Sequence, residues 1–216
     1  MEYIILEDVS KILKNRKVLQ EINLVLRKGL TYGFIGRNGS GKTMILRAIS
    51  GLITPTTGKI TVFGINITEK HCFPDKMGLI IEDIELWNDL TGFQNLQLIA
   101  DINKTITNDE IRSSLTRVGL DPDDKRKYRA YSMGMKKRLN IAQAIMEKPD
   151  LILLDEPTNG LDEQGVSLFQ LIAKEEKSRG ATLFIATHLK EDIRDLCDEV
   201  YVMDNGFCRK SQEGLR

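Results

Sequence analysis

Cysteine, histidine and net charge are all scarce in this 216-residue chain, and each scarcity excludes a class of protein. The three cysteines, Cys72, Cys197 and Cys208, are odd in number and too widely spaced for a disulfide framework or a cysteine metal motif. They are typical of reduced thiols in a cytosolic protein. Lysine plus arginine number 31 and aspartate plus glutamate also number 31, so no bulk positive charge favours a nucleic-acid partner.

Long apolar runs are missing as well. Runs such as Leu151–Leu154 are far shorter than the roughly 20 residues that span a bilayer. The first residues, Met1, Glu2 and Tyr3, do not begin the basic and then apolar pattern of a signal peptide. We therefore expect a chain without a membrane segment of its own, so that any work at a membrane requires a partner that crosses it.

Short apolar runs and helical patterns divide the chain. Between about residues 88 and 148 strand signals disappear and helical periods dominate, whereas continuous apolar runs on either side suit parallel strands buried on both faces. We therefore predict one α/β domain in which residues 1–87 and 149–216 form the core and 88–148 form a helical subdomain. The predicted strands are Tyr3–Leu6, Asn23–Leu26, Thr31–Ile35, Lys59–Val62, Leu151–Leu154, Thr182–Ala186 and Val200–Met203, with a short apolar run at Met77–Ile81 and a hairpin turn at Asn205-Gly206.

A glycine-rich segment after the third predicted strand matches the pattern G-x-x-x-x-G-K-[ST] and precedes a predicted helix at Thr43–Ile49. Glycines let successive backbone N–H groups turn towards phosphate oxygens, and the start of the helix adds partial positive charge. Lys42 can then reach the β- and γ-phosphates and Thr43 can bind magnesium. The alternative is a turn that merely connects a strand to a helix. The segment comprises Gly36, Arg37, Asn38, Gly39, Ser40, Gly41, Lys42 and Thr43, and Met44 follows it.

Polar residues follow two of the buried strands. Asp155 and Glu156 come at the end of Leu151–Leu154, and His188 comes after Thr182–Ala186. The carboxyl ends of parallel strands form the edge where ligands bind. Asp155 suits a magnesium shell, and Glu156 is the candidate general base for an attacking water. The alternatives are that the strand simply ends in polar residues and that His188 is an ordinary surface or capping residue.

The order of these motifs resembles that of the nucleotide-binding subunit of ABC transporters over essentially the whole chain. Gly36–Thr43 resembles the Walker A loop, Leu151–Asp155 resembles Walker B, and Glu156 stands at the catalytic glutamate position. Asp162 ends a segment that resembles the D-loop, and His188 resembles the switch histidine. The signature position is occupied by Ser132, Met133, Gly134 and Met135, after Tyr131.

This resemblance implies a P-loop NTPase core, with a mainly parallel sheet and antiparallel strands near the N-terminus. It implies ATP and Mg²⁺ as ligands, and two copies packed head to tail so that each ATP lies between one Walker A loop and the other copy's Ser132 and Gly134. It also implies an integral membrane permease as partner, which would hold the chain at the cytoplasmic face of the membrane and carry out export.

Three features depart from the family pattern: the signature, the adenine contact and the residue at position 82. Met133 and Met135 replace a glycine and a glutamine of the usual signature. Leu13 stands where an aromatic ring usually stacks on adenine, and Val18 or Arg16 is the alternative cover for the base. Glu82 replaces a glutamine that binds magnesium or its water, so we expect it to be a metal ligand and a coupling residue; alternatively it points to solvent or pairs with a lysine such as Lys76. The residues of the signature segment and Glu82 most resemble the corresponding residues of the bacterial bacitracin and lantibiotic subfamily.

Two other functions fit parts of the pattern. ABC-type ATPases of DNA repair need a very long coiled-coil insertion, but Glu156 follows Lys42 by only 114 positions, and ribosome-associated types usually carry two such domains. A nucleotide-binding scaffold without turnover would not need Lys42, Asp155, Glu156 and His188 together. The sequence therefore favours a transporter ATPase and leaves its substrate open.

Overall fold

An antiparallel sheet forms the first layer of the fold. The computed structural model describes residues 3–82, 85–189, 191–193 and 195–211. Along the second strand buried and exposed residues alternate, as expected for a sheet with one face on the core. The strand order is β2-β1-β4-β5. The strands are β1 (Tyr3–Leu13), β2 (Arg16–Arg27), β4 (Thr57–Val62) and β5 (Ile65–Asn66).

A six-stranded sheet forms the second layer, in the order β10-β9-β3-β8-β7-β6. All neighbouring pairs are parallel except the hairpin of the last two strands. Every residue of the third, seventh and eighth strands is buried, which explains their continuous apolar runs. The predicted α/β fold is confirmed. These strands are β3 (Thr31–Ile35), β6 (Met77–Ile80), β7 (Leu151–Asp155), β8 (Thr182–Thr187), β9 (Glu199–Asp204) and β10 (Phe207–Lys210).

Six helices accompany the sheets in the described part of the chain, and three of them lie inside the predicted helical stretch at 88–148. Two of them begin with a capping box, at Thr91 and at Thr107, in which side chains satisfy the free N–H groups of the first turn. The division into a core and a helical subdomain stays a prediction. The helices are α1 (Lys42–Ile49), α2 (Ile67–Lys70), α3 (Gly92–Asn103), α4 (Asn108–Arg117), α5 (Met133–Ile145) and α6 (Glu163–Ser178), with single 3₁₀ turns at Tyr128–Ala130 and Glu191–Ile193.

A buried ion pair links α4 to α6. The guanidinium of Arg117 lies 2.9 Å from the carboxylate of Glu176, which is only 3 % exposed and also pairs with Arg179 at 2.6 Å. Glu176 is thereby held between two arginines, one on the helical stretch and one just after α6.

The described helices include none that is both long and apolar enough to cross a membrane. The three cysteines are free thiols, and burial raises the pKa of Cys197 to about 12.

Candidate functional site

The glycine-rich loop runs from the end of β3 to the first turn of α1. Gly41 caps the helix with φ 112°, a left-handed backbone that other residues rarely adopt. A Cβ at Gly41 would lie 2.9 Å from the carbonyl oxygen of Val18, and one at Gly36 would collide with the carbonyl oxygen of Met203. The loop is therefore packed against the backbone of β2 and β9, and the N–H groups of the first turn of α1, which lack partners within the helix, are suited to an anion.

Lys42 is folded over the loop that precedes it. Its ammonium group donates to the carbonyl oxygen of Gly36 at 2.7 Å and to that of Arg37 at 3.3 Å, and the side chain is only 5 % exposed. It also lies 3.5 Å from Glu156 Oε1. A buried positive charge is thus fixed at the place where the phosphates of a nucleotide would bind.

Thr43 and Asp155 meet beside the lysine. The Thr43 hydroxyl donates to Asp155 Oδ2 at 2.6 Å, although the two residues are far apart in the sequence. Burial raises the pKa of Asp155; the Thr43 hydrogen bond lowers it and the charge of Glu156 raises it further. Within the described part of the chain, Asp155 Oδ1 and Ser40 Oγ are buried oxygens without a hydrogen-bond partner.

These oxygens are suited to a hard divalent cation. In proteins Mg²⁺ usually binds one or two protein oxygens, mostly from carboxylates, and takes its remaining ligands from water and substrate phosphates. No cluster of three or more histidine, cysteine or acidic residues that could hold a metal occurs among the described residues. Thr43 and Asp155 therefore fit a cation that arrives with the phosphates better than one held by protein alone.

Glu156 is the first residue after β7 and has a left-handed backbone, with φ 46°. Its N–H donates to the carbonyl oxygen of Ala186 at 2.8 Å, which holds it beside the end of β8. The carboxylate oxygen Oε2 lies 3.0 Å from His188 Nδ1 and accepts from the hydroxyl of Thr187 at 3.1 Å. The structure thus brings the predicted base and the predicted switch histidine into direct contact.

The loop residues also line two cavities. One cavity of about 360 Å³ is lined by the predicted contacts Val18 and Met44 together with Arg16, and also by Lys42 and the two acidic residues. Another, of about 480 Å³, places His188 beside Arg37 and Asn38. Leu13 is 39 % exposed at the end of β1, where its register partner is Arg16. Arg16 and Val18, the alternatives to Leu13, both line the candidate nucleotide cavity.

The signature segment forms the start of α5. Ser132 is the helix cap, and its hydroxyl accepts from the N–H of Met135 at 3.2 Å. Met133 is 68 % exposed and packs on Gly160, where a Cβ would lie 2.7 Å from the methionine methyl group. Gly134 follows Met133 in the first turn of the helix.

A second contact ties this helix to the predicted D-loop. Arg138 donates to Asp162 Oδ1 at 3.1 Å, and the same oxygen caps α6 at the N–H of Gly165 at 2.8 Å. Met133 also lines a cleft of about 690 Å³, which Asp155 and Glu156 line as well. The signature segment and the acidic residues therefore border the same cleft.

Glu82 lies on the wall of that same cleft. Its carboxylate pairs with Arg47 of α1 at 2.7 Å, and its side chain is 64 % exposed. The arginine, rather than a lysine such as Lys76, is therefore the ion-pair partner, and the roles of Glu82 as metal ligand and coupling residue stay predictions.

Three contacts in this region were not anticipated from the sequence: those of Thr187, Arg47 and Arg138. Thr187 directly precedes His188 at a strand end, so its position was a usable signal. The partners of Arg47 and Arg138 lie 35 and 24 positions away, and no local pattern identifies them.

Comparison with known proteins agrees with this geometry. Residues 19–159 match the family model described as ABC transporter. The chain is 47 % identical over 206 residues to an uncharacterized ABC transporter ATP-binding protein, YybJ, of Bacillus subtilis (strain 168), covering 95 % of this chain and 94 % of YybJ. It is 39 % identical to the bacitracin transport ATP-binding protein BcrA of Enterococcus faecalis, covering 95 % of this chain and 68 % of BcrA.

Further similarities extend to a lantibiotic protein and to solved structures. Identity to the lantibiotic transport ATP-binding protein SrtF of Streptococcus pyogenes is 34 %, covering 89 % of this chain and 83 % of SrtF. The fold superimposes with a TM-score of 0.87 and 25 % identity on the dimeric post-hydrolysis state of the ATP-binding cassette MJ0796 bound to ADP and Pi, covering 99 % of both chains. The resemblance inferred from the motifs is confirmed, and the chain belongs to the ABC transporter ATP-binding family.

Proposed function

We propose that this chain hydrolyses ATP to drive export of a peptide antibiotic, of the bacitracin or lantibiotic kind, through a separate membrane-spanning partner. The observation that carries ATP hydrolysis is the convergence of Lys42, Thr43, Asp155 and Glu156 at one sheet edge, with contacts of 2.6 Å and 3.5 Å between pairs of them. The substrate class rests on the names of the bacitracin and lantibiotic relatives.

The loop and α1 would hold the phosphates of ATP. Backbone N–H groups and the ammonium of Lys42 offset the phosphate charge, which requires Lys42 to exchange its carbonyl partners for phosphate oxygens. Thr43 and Asp155 would hold Mg²⁺ together with the phosphates. The bound cation would supply charge neutralisation on the transferred phosphoryl group.

Glu156 would act on the attacking water. Its carboxylate accepts a proton from the water while the water oxygen forms a bond to the γ-phosphorus and the bond from that phosphorus to the bridging oxygen breaks. ADP and inorganic phosphate are the products. Lys42 stabilises the charge that develops on the phosphoryl oxygens, and His188 is placed to contact them from the neighbouring strand.

A second copy of the chain would complete the site. In one chain Met133 of the signature segment and the acidic residues line the same cleft, and the Ser132 hydroxyl is used by its own helix. The free N–H groups at the start of α5 form a second anion-binding helix end, suited to the γ-phosphate of a facing copy. The similarity to cassettes whose solved structures are dimeric supports this arrangement.

Two measurements on the Glu156→Gln variant test the proposal: its rate of ATP hydrolysis, and its oligomeric state by light scattering. The amide cannot accept the water's proton, so turnover should fall by roughly a hundredfold or more while ATP and Mg²⁺ still bind. With ATP the variant should shift from monomer towards dimer, and the added Lys42→Ala substitution should prevent the shift. A Glu156→Gln chain that hydrolyses ATP at the parent rate, or that stays monomeric at high concentration with ATP, contradicts the proposal.

Capture from detergent-solubilised membranes tests the transport partner. The chain should co-purify with an integral membrane protein, which would place it peripherally at the cytoplasmic face of the membrane. Capture of ribosomes or DNA-bound proteins instead would favour the other functions of this ATPase class.

A further inference from the structure

The hydroxyl of Thr187 has a fixed direction. Thr187 is the last residue of β8 and is fully buried. Its oxygen accepts from the N–H of Leu189 at 3.1 Å and donates to Glu156 Oε2 at 3.1 Å. A hydroxyl carries one proton, and with a lone pair engaged by the backbone N–H that proton points at the carboxylate.

The two oxygens of the Glu156 carboxylate therefore have different surroundings. Oε2 accepts from Thr187 and lies 3.0 Å from His188 Nδ1. Oε1 lies 3.5 Å from the ammonium of Lys42, on the side of the phosphate-binding loop. One oxygen is anchored to the sheet, and the other faces the place where the water and the γ-phosphate would react.

The two residues that contact Oε2 differ in their freedom to move. Thr187 is held by the parallel register of β8, in which it lies opposite Ile35 of β3. His188 lies beyond the strand, and its side chain is 40 % exposed. If the His188 imidazole turns towards a phosphate, as its proposed role requires, Oε2 keeps the hydrogen bond from Thr187 at 3.1 Å and a longer one from the backbone N–H of His188 at 3.4 Å. The Thr187 hydroxyl is then the shorter contact and the one that comes from the strand itself.

We propose that Thr187 is a positioning residue for Glu156. It holds Oε2 so that Oε1 faces the water, before and after His188 changes its partner. This inference rests on the proposed function, in which Glu156 is the general base. It concerns the orientation of the carboxylate, so its loss should lower kcat and leave the binding of ATP unchanged.

Steady-state ATPase measurements on three variants of the full chain test this. Thr187→Val keeps the shape of the side chain and removes the hydroxyl, so kcat should fall roughly tenfold while the KM for ATP stays within about twofold. Thr187→Ser restores the donor and should recover most of the parent kcat. Thr182→Val is the matched control, because Thr182 is fully buried on the same strand and its hydroxyl accepts from the N–H of Gly29 at 2.9 Å.

A double-mutant cycle separates positioning from a purely structural role. In the Glu156→Gln background, Thr187→Val should cause no further loss of turnover, because its effect acts through the carboxylate that is already absent. An equal loss from Thr182→Val, or an additive loss in the Glu156→Gln background, would overturn the positioning role. Should Thr187→Val not fold, Thr187→Ala must meet the same expectations.

The two proposals fail in different ways. Parent-like kcat in Thr187→Val, together with an inactive Glu156→Gln, overturns the role of Thr187 and leaves the proposed function in place. Parent-like turnover in Glu156→Gln overturns both.

Discussion

The sheet edge that carries the phosphate-binding loop and the start of α5 are both suited to phosphate, but they differ in how complete they are. At the sheet edge two segments, the start of α1 and the end of β7, bring Thr43 into contact with Asp155 and Lys42 into contact with Glu156. At the start of α5 the cap of Ser132 and the exposed Met133 belong to one helix end that faces a cleft.

The difference lies in what each region still needs. In the proposed function the sheet edge supplies the Lys42 charge for the phosphates, the oxygens of Thr43 and Asp155 for a cation, and Glu156 as the base that accepts the proton of water. The helix end offers only backbone N–H groups and a hydroxyl, so it can contribute to an anion site but cannot form one alone. Binding of nucleotide should therefore depend on the first region in a single chain, and pairing of chains should depend on the second.

Removing the lysine should have the largest effect. Lys42→Ala takes away the buried charge that faces the phosphates, so ATP binding should fall by at least about a hundredfold and turnover should be abolished. Equilibrium binding of a fluorescent ATP analogue measures this. Lys59→Ala is the control, because Lys59 is half-exposed and pairs with Glu7 at 3.1 Å on the antiparallel sheet. Tight binding of ATP by Lys42→Ala would show that nucleotide binding in a single chain does not depend on the sheet edge.

Changing the cap residue of α5 should affect the pairing of two chains and not the binding of ATP by a single chain. Ser132→Ala in the Glu156→Gln background should weaken ATP-driven dimerisation by roughly tenfold, while ATP binding by the monomer stays unchanged. Loss of any such cap also destabilises a helix by about 1 kcal/mol. Thr107→Ala removes the comparable cap of α4 and controls for that stability effect. Equal dimerisation of both variants would contradict a role for Ser132 at the interface.

Glu82 lies between the two regions, and its effect should appear only with the membrane partner. Glu82→Ala should reduce transport in cells several-fold, with Glu82→Gln milder, while the ATPase rate of the isolated chain changes by less than about twofold. The exposed pair with Arg47 is worth only about 0–1 kcal/mol, so stability should hardly change. Arg47→Gln separates the pair from the carboxylate itself: if only Glu82 matters, this variant transports normally. Normal transport by both Glu82 variants would show that Glu82 has no coupling role.

The smallest effect is expected at Leu13, where the chain is predicted to contact the adenine of ATP. Leu13→Tyr should tighten ATP binding by roughly two- to tenfold, since an aromatic contact adds about 0.5–1.5 kcal/mol. The parent chain should discriminate only weakly between ATP and GTP, which competition against a labelled ATP analogue measures. A parent preference for ATP above about a hundredfold, or about 2.7 kcal/mol, would mean that Arg16 or Val18 already covers the base selectively.

The sequence predicted the sheet edge better than the cleft, for a physical reason. Thr31–Ile35 and the loop after it follow local rules, because apolar strands, glycines and a helix start are visible over a few residues. The strand β1 extends to Leu13 instead of ending at Leu6, because polar residues on its outer face hide the pairing with β2. Strand β2 likewise begins at Arg16 rather than at Asn23.

Contacts between distant residues were harder to anticipate. Glu82 could be singled out by its place in the motif order, but its partner Arg47 depends on how β6 and α1 pack. The contact of Met133 with Gly160 likewise joins segments that only the folded chain brings together. Such contacts are set by topology, which a single sequence does not display.

The buried carboxylate of Glu176 limits how α4 can move relative to α6. Separating it from Arg117 would leave the buried carboxylate with Arg179 as its ion-pair partner, and losing one of two partners costs free energy because the charge stays out of water. A tilt that keeps the two groups together avoids most of that cost, whereas a slide that parts them does not. The ion pair therefore favours any change of α4 that keeps Arg117 beside Glu176 over one that parts the two groups.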